Sequence, residues 1–174
     1  PVNTVMELVE YIRARPGQLN YASGGVGASN HMTTELLKYQ LKLDIVHVPY
    51  RGAQAMAQAA ISGDAPVVAG NLVNLMPFIQ RGELKALAVT SRTRTPLLPD
   101  VPTMIESGIP DFETIAWNGL MAPKGTPQPI IQRMHAELVK LRDNASLRER
   151  IAVIGGEVVM STPEEFAARI RSDI

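Results

Sequence analysis

Apolar positions recur along this chain in two alternating rhythms. Val5, Leu8, Val9 and Ile12 share one face of a helix that a Thr4-x-x-Glu7 capping box opens and Pro16-Gly17 stops, near Arg15. A short β-rich run follows at Leu19–Ser23, then a glycine turn (Gly24, Gly25, Gly27) and a helix from Ala28 or Ser29 to about Gln40. The unit repeats. Asp44–Val48 reads as a second strand, Pro49-Tyr50-Arg51-Gly52 as a turn, and an alanine-rich helix runs to about Ile61. Ser62-Gly63-Asp64 breaks it before a third apolar run, Pro66–Ala69. Gly70-Asn71 opens a helix through Ile79, and Lys85–Thr90 reads as a fourth strand. Strands alternating with helices of this length predict an α/β fold with a mostly parallel sheet, and the continuous apolar runs suit strands covered on both faces.

After Ser91 the texture changes. Prolines crowd the segment to Pro110, Thr103-x-x-Glu106 predicts one short capped helix, and Phe112–Met121 reads as extended, with the single tryptophan, Trp117. Thr126 and Pro127 predict the start of a long helix with Ile130, Ile131, Met134, Leu138 and Leu141 inward. A helix over about Ala145–Ile154, a stop at Gly155-Gly156, a brief strand at Val158–Met160 and a helix capped by Thr162-Pro163-x-Glu165 complete the pattern. So few strands cannot cover those helices, which predicts that part of this lobe is missing from the chain.

Composition narrows the classes. Lys+Arg and Asp+Glu number 17 each among 174 residues, so no net field attracts nucleic acid or an anionic membrane. The absence of cysteine rules out disulfides, thiolate metal sites and a cysteine nucleophile. No apolar run approaches the ~18 residues of a membrane span. The chain starts without Met or a signal-peptide layout and reads as a mature or trimmed product.

Four strand ends gather the candidate chemistry: Ser23 with Gly24, Gly25, Val26, Gly27, Ser29 and His31; Tyr50, Arg51 and Gly52; Gly70 with Asn71; and Thr90 with Ser91. Ligands in open α/β sheets bind beyond the carboxyl ends of the strands, and helix N-termini there attract anions. The glycine turn lacks the Lys-Ser/Thr of a phosphate loop. Asn30 also stands where a dinucleotide fingerprint needs its third glycine. Taken singly, Asn71 reads equally as a helix cap, Tyr50 as a packed aromatic, Arg51 as a solvated charge and His47 as a core histidine with one hydrogen bond. The histidines (His31, His47, His135) have no metal spacing, and neither Ser23 nor Ser29 sits in a Gly-x-Ser-x-Gly elbow. No catalytic residue, metal or cofactor is expected. An α/β enzyme acting on an anionic substrate and a module that binds no ligand remain alternatives at this point.

The segments NTVMELVEYIRARPGQLNYASGGVGASNHMTTELL, DIVHVPYRGAQAMAQAAISGD, GNLVNLMPFIQRGELKALAVTSRTRTPLLPDVPTMIESGIPDFE and WNGLMAPKGTPQPIIQRMHAEL resemble the extracytoplasmic solute receptors of tripartite tricarboxylate transporters. These are periplasmic binding proteins of the Bordetella uptake gene (Bug) type. The resemblance implies a two-lobed, periplasmic-binding-protein-like (type II) fold. Residues 1–113 would be the ligand-binding second lobe, and 114–174 an incomplete part of the first, whose other residues precede the point where this chain starts. It further implies capture of a small organic anion (a di- or tricarboxylate, an aromatic carboxylate or an acidic amino acid) by the strand-end residues named above. The Trp117 segment would cross between lobes, the loaded receptor would deliver to membrane permease subunits, and lobe-facing surfaces left bare could drive homo-oligomerisation. With half a cleft, the chain is expected to hold carboxylates only in the millimolar range. Helix N-termini contribute about 0.3–1 kcal/mol each, against the ~8 kcal/mol of a micromolar complex.

Overall fold

The computed structural model describes residues 2–153 and 156–173. It divides the chain into two compact units, Pro1–Ala116 and Trp117–Ile174.

In the first unit, α1 (Val5–Arg13) is followed by β1 (Asn20–Ser23), α2 (Ser29–Leu41), β2 (Val46–Pro49), α3 (Ala53–Ser62), β3 (Val67–Val68) and α4 (Leu72–Gln80). The three strands form a parallel sheet in the order β2-β1-β3, with Tyr21 opposite both His47 and Val67. Local chemistry sets these boundaries. Thr4 Oγ1 accepts the Glu7 N–H at 3.1 Å to start α1, and Gly63, at φ +90°, ends α3 in the left-handed conformation that glycine adopts without strain.

β1 is the buried centre of the sheet, and its alternation sorts the core into two layers. Tyr21 points to the face covered by α1 and α2, where it joins Val5, Val9, Ile12, Leu43, Ile45, Met104, Ile109 and Phe112. Ala22 points the other way, to Met56 and Ala59 of α3 and to Ala65. Burial of each large side chain in such a layer contributes about 1.5–3 kcal/mol.

Four expectations from the pattern are corrected here. Lys85–Thr90 is not a fourth strand. Val89 makes one isolated bridge to Thr103, donating to the Pro102 carbonyl and accepting from Met104. Leu87 and Ala88 meanwhile pack against the core. The segment's apolar character thus serves packing without a ladder. Thr103 and Glu106 do form the reciprocal capping bonds, at 2.8 and 3.0 Å, but close only a turn. Gly108 (φ +93°) and Pro110 follow too soon for a helix to extend.

The other two corrections lie in the second unit, which contains α5 (Gln128–Val139), α6 (Ala145–Val153) and α7 (Pro163–Ser172). Val158–Met160 is not a strand; no described neighbour pairs with it. On α5, Pro127 occupies the N-cap position, while the Thr126 hydroxyl donates to the Pro123 carbonyl at 2.8 Å. The face expected to point inward is not buried: Ile130, Met134 and Leu141 are exposed, and Ile131 and Leu138 only half-buried. The expected end of α6 at Ile154 and Gly155 lies outside the described residues. Thr162 and Glu165 form a complete capping box on α7. Trp117 donates its indole N–H to Asp173 Oδ2 at 2.7 Å and meets Phe166 edge-on at 5.1 Å. Gly119 is required beside that pair, because a Cβ there would collide with the Phe166 ring.

Candidate functional site

The carboxyl ends of β1, β2 and β3 open onto one cavity of about 210 Å³, small against the ~300–1,000 Å³ of ordinary ligand pockets. Gly24, Ser29 and Asn30 line it from the β1–α2 loop, Gly52, Ala53 and Met56 from the start of α3, and Gly70, Asn71, Asn74 and Leu75 from the start of α4. No charged side chain is among them.

What the walls share is a set of helix N-termini without side-chain caps. Ala28 precedes α2, Gly52 precedes α3 and Asn71 precedes α4, and none provides a side-chain hydrogen bond to its helix. By contrast α1 and α7, outside the cavity, are capped by Thr4 and Thr162. His31 N–H finds Asn30 Oδ1 and Asn74 N–H the Asn71 carbonyl; the remaining first-turn N–H groups need an acceptor, and the partial positive charge of the helix end favours a negative one. Gly52 makes its part possible: φ +86° with ψ 161° is backbone that side-chain-bearing residues avoid. On α4, the Asn71 and Asn74 side-chain amides have no hydrogen-bond partner among the described residues, so four more donors are free at the rim.

Among residues singled out from the sequence, Gly24, Ser29, Gly52, Gly70 and Asn71 line the cavity. Gly25 and Gly27 shape the turn at φ +125° and +81°, and Val26 is 85 % exposed at its tip. Arg51 is exposed at the end of β2, with no ion pair among the described residues. Tyr50 packs against the Ala22–Met56 layer. Three others turn elsewhere. Ser23 is fully buried, Thr90 donates to the Thr114 carbonyl at 2.7 Å, and Ser91 donates to the Thr93 carbonyl at 2.7 Å. Trp117 belongs to the second unit.

Asn30, Met56 and Asn74 were not anticipated as lining residues. Asn30 Oδ1 accepts the N–H groups of Gly24 (3.2 Å) and His31 (2.9 Å), a local staple that an asparagine two residues into a helix can form. Asn74 lies one turn from Asn71 on the same helix, a spacing that could have revealed it.

Behind the glycine turn lies a polar cluster. Tyr21 donates its hydroxyl to Glu35 Oε1 at 2.6 Å, and Lys38 Nζ reaches the same oxygen at 2.6 Å. Ser23 Oγ and His47 Nε2 are 2.5 Å apart, and the His31 and His47 rings lie 4.3 Å apart. Burial, then Glu35, raises the Tyr21 phenol far above its usual range. Burial alone would raise the Glu35 carboxyl, but the Lys38 and Tyr21 hydrogen bonds outweigh it and lower it. Burial, then the charge on His31, lowers His47.

These directions fix a pH response. An unfolded imidazole takes its proton near pH ~6.5, before native His47 does. Stability is therefore expected to be complete above that pH and to fall as pH drops toward the lower native value. Glu35 adds a second loss below its ordinary carboxyl range, as pH falls through its depressed native value. Urea denaturation at stepped pH should show both, and His47→Gln should remove the first.

Among the described residues no three His, Asp or Glu side chains gather as metal ligands, and no helix is long and apolar enough to cross a membrane.

Comparison with known proteins gives a consistent picture. The family described as "Tripartite tricarboxylate transporter family receptor" matches residues 1–173. A relative from Pseudomonas sp. strain P51, a UPF0065 protein in the tcbD-tcbE intergenic region, is 33% identical over 97% of this chain and 51% of its own length. A solved structure of R. palustris Rpa4515 with adipate superposes with a TM-score of 0.91 at 32% identity, over 100% of this chain and 58% of that one. MatC from Rhodopseudomonas palustris with bound malate has a TM-score of 0.82 at 33% identity, over 95% and 55%. The chain spans about half the length of the curated relatives it matches.

Proposed function

Because the chain belongs to the tripartite tricarboxylate transporter receptor family, we propose that it is a periplasmic solute-binding protein that captures a small organic carboxylate and presents it to membrane permease subunits. The first unit is the ligand-binding lobe. One carboxylate end sits in the cavity at the strand ends, held by the first-turn N–H groups of α2, α3 and α4, by the Asn71 and Asn74 amides and, at the rim, by Arg51. The observation that carries this reading is the convergence of three helix N-termini without side-chain caps on one cavity. Adipate and malate in the two structural neighbours support a dicarboxylate.

Binding inside the cavity by neutral donors, with the one cation at its rim, suits a receptor, which must release its cargo. Each charge-assisted hydrogen bond contributes about 1.5–3 kcal/mol at most and is weakened by water and salt in an open site. The serine–histidine pair lends no weight to a hydrolase reading. Ser23 and His47 have the separation of a nucleophile and its base, but Ser23 is fully buried and no substrate reaches it.

Titration of the chain with adipate, malate and the neutral diamide of adipate, followed by NMR, tests the proposal. Millimolar binding of the two dicarboxylates is expected, with shifts at Gly24, Gly52 and Asn71 and none from the diamide. Equal responses to acid and diamide, or no response at these residues, would overturn it.

A further inference from the structure

The glycine turn is fastened to β1 through Ser23 and to α2 through an imidazole. Gly27 donates its N–H to His31 Nδ1 at 3.3 Å, and Gly25 donates its N–H to Ser23 Oγ at 3.1 Å. Ser23 Oγ in turn lies 2.5 Å from His47 Nε2 and 3.3 Å from the Gly25 carbonyl oxygen. The titratable and charged groups facing the two rings are Tyr21 of β1, stacked on His47 at 5.0 Å, and Glu35 and Lys38 of α2.

The Gly27 bond requires one protonation state, whereas the Ser23–His47 contact forms in two, with donor and acceptor exchanged. A backbone N–H only donates, so His31 Nδ1 must be bare to accept it. With His47 Nε2 bare, Ser23 donates to the ring and accepts from Gly25. A proton on Nε2 reverses the chain: the imidazolium donates to Ser23 Oγ, and the serine proton turns to the Gly25 carbonyl. A proton on His31 Nδ1 ends the bond to Gly27 altogether, leaving a free N–H beside a cation.

We propose that Ser23, His31 and His47 are positioning residues forming a proton-operated latch on the glycine turn. A neutral His31 ring holds the Gly27 amide, Ser23 relays the state of His47 to the Gly25 backbone, and protonation of His31 frees the Gly27 N–H for an anion. Only the last step, the anion, rests on the carboxylate-receptor reading. Burial and the neighbouring ring keep His47 below the usual imidazole range, so this ring is uncharged at neutral pH.

An NMR titration of the chain without ligand, from about pH 8 to about pH 5, spans imidazole protonation and reads the latch directly. The Gly25 and Gly27 amide signals are expected to move with the ring titrations of His47 and His31. Ser23→Ala should leave His47 titrating while the Gly25 signal stands still. His47→Gln, which keeps a hydrogen-bonding side chain but takes no proton, should keep the fold and silence the same signal. Still Gly25 and Gly27 signals in the unaltered chain, or an undiminished Gly25 response in Ser23→Ala, would overturn the latch. In the second arm, adipate affinity is expected to rise of the order of tenfold between about pH 8 and about pH 6, within the usual range of coupling between two binding events. His31→Gln should abolish that rise, and an affinity unchanged by pH in the unaltered chain overturns the release of Gly27. A turn that titrates while adipate binds at neither pH upholds the latch and overturns the receptor reading instead.

Discussion

Asn71→Asp is expected to raise the stability of the protein while weakening its carboxylate binding. The side chain at this position precedes α4 without capping it. An aspartate there can accept a first-turn N–H and adds a negative charge at the positive end of the helix, worth about 0.3–1 kcal/mol. The same charge occupies the electrostatic role of the ligand. Between water-like and surface dielectric, two like charges ~4 Å apart repel by about 1–4 kcal/mol. Adipate affinity should therefore fall by roughly tenfold to several hundredfold. Urea denaturation and the NMR titration measure the two quantities on one sample. The opposite signs matter, because a variant that merely misfolds loses both. Unchanged adipate binding would move the site away from α4.

The second large effect is expected at Phe112, far from any ligand. Phe112→Ala should cost about 3–5 kcal/mol, the range for a buried aromatic whose cavity cannot collapse. Phe112 is 1% exposed and packs in the layer with Tyr21, Ile12 and Ile109. It sits in a segment with no helix or strand of its own, so side-chain packing, with few backbone bonds, holds the residues around it. Set against a total stability of ~5–15 kcal/mol, such a loss removes roughly a fifth or more of it. Val26→Ala, on a side chain 85% exposed, should change stability by less than ~0.5 kcal/mol in the same denaturation experiment.

Local signals carried the first unit. Thr4, Pro16-Gly17, the glycine turn, Gly52 and Gly63 announce starts and stops through their own backbone preferences, and the helices and three strands follow from them. Lys85–Thr90 was misread because a strand is defined by its partner, and the partner here, Thr103, is supplied by a proline-rich loop. The inward face assigned to α5 had the right spacing, but periodicity reports which residues share a face and not what covers it. The site divided in the same way. That three strand ends feed helix N-termini was legible from punctuation alone. Which polar side chains turn into the cavity was not: Ser23, Thr90 and Ser91 find hydrogen-bond partners inside the protein, while Asn30, Met56 and Asn74 reach the wall by folding.

The third wall of the cavity is built on a narrow footing. β3 is bound to the sheet through two residue pairs, Tyr21↔Val67 and Ala22↔Val68. The helix it feeds contains Pro77, which has no N–H to return to the preceding turn. Asn71 and Asn74 ride on this piece, whereas the walls from α2 and α3 adjoin β1, which is buried from Tyr21 to Ser23. Sub-global opening that releases β3 and α4 must undo the Leu75 and Phe78 packing on Ala57 but needs less than the free energy of complete unfolding. A bound anion that bridges all three walls opposes this opening by mass action. Occupancy of the cavity is thereby coupled to the integrity of the sheet's edge.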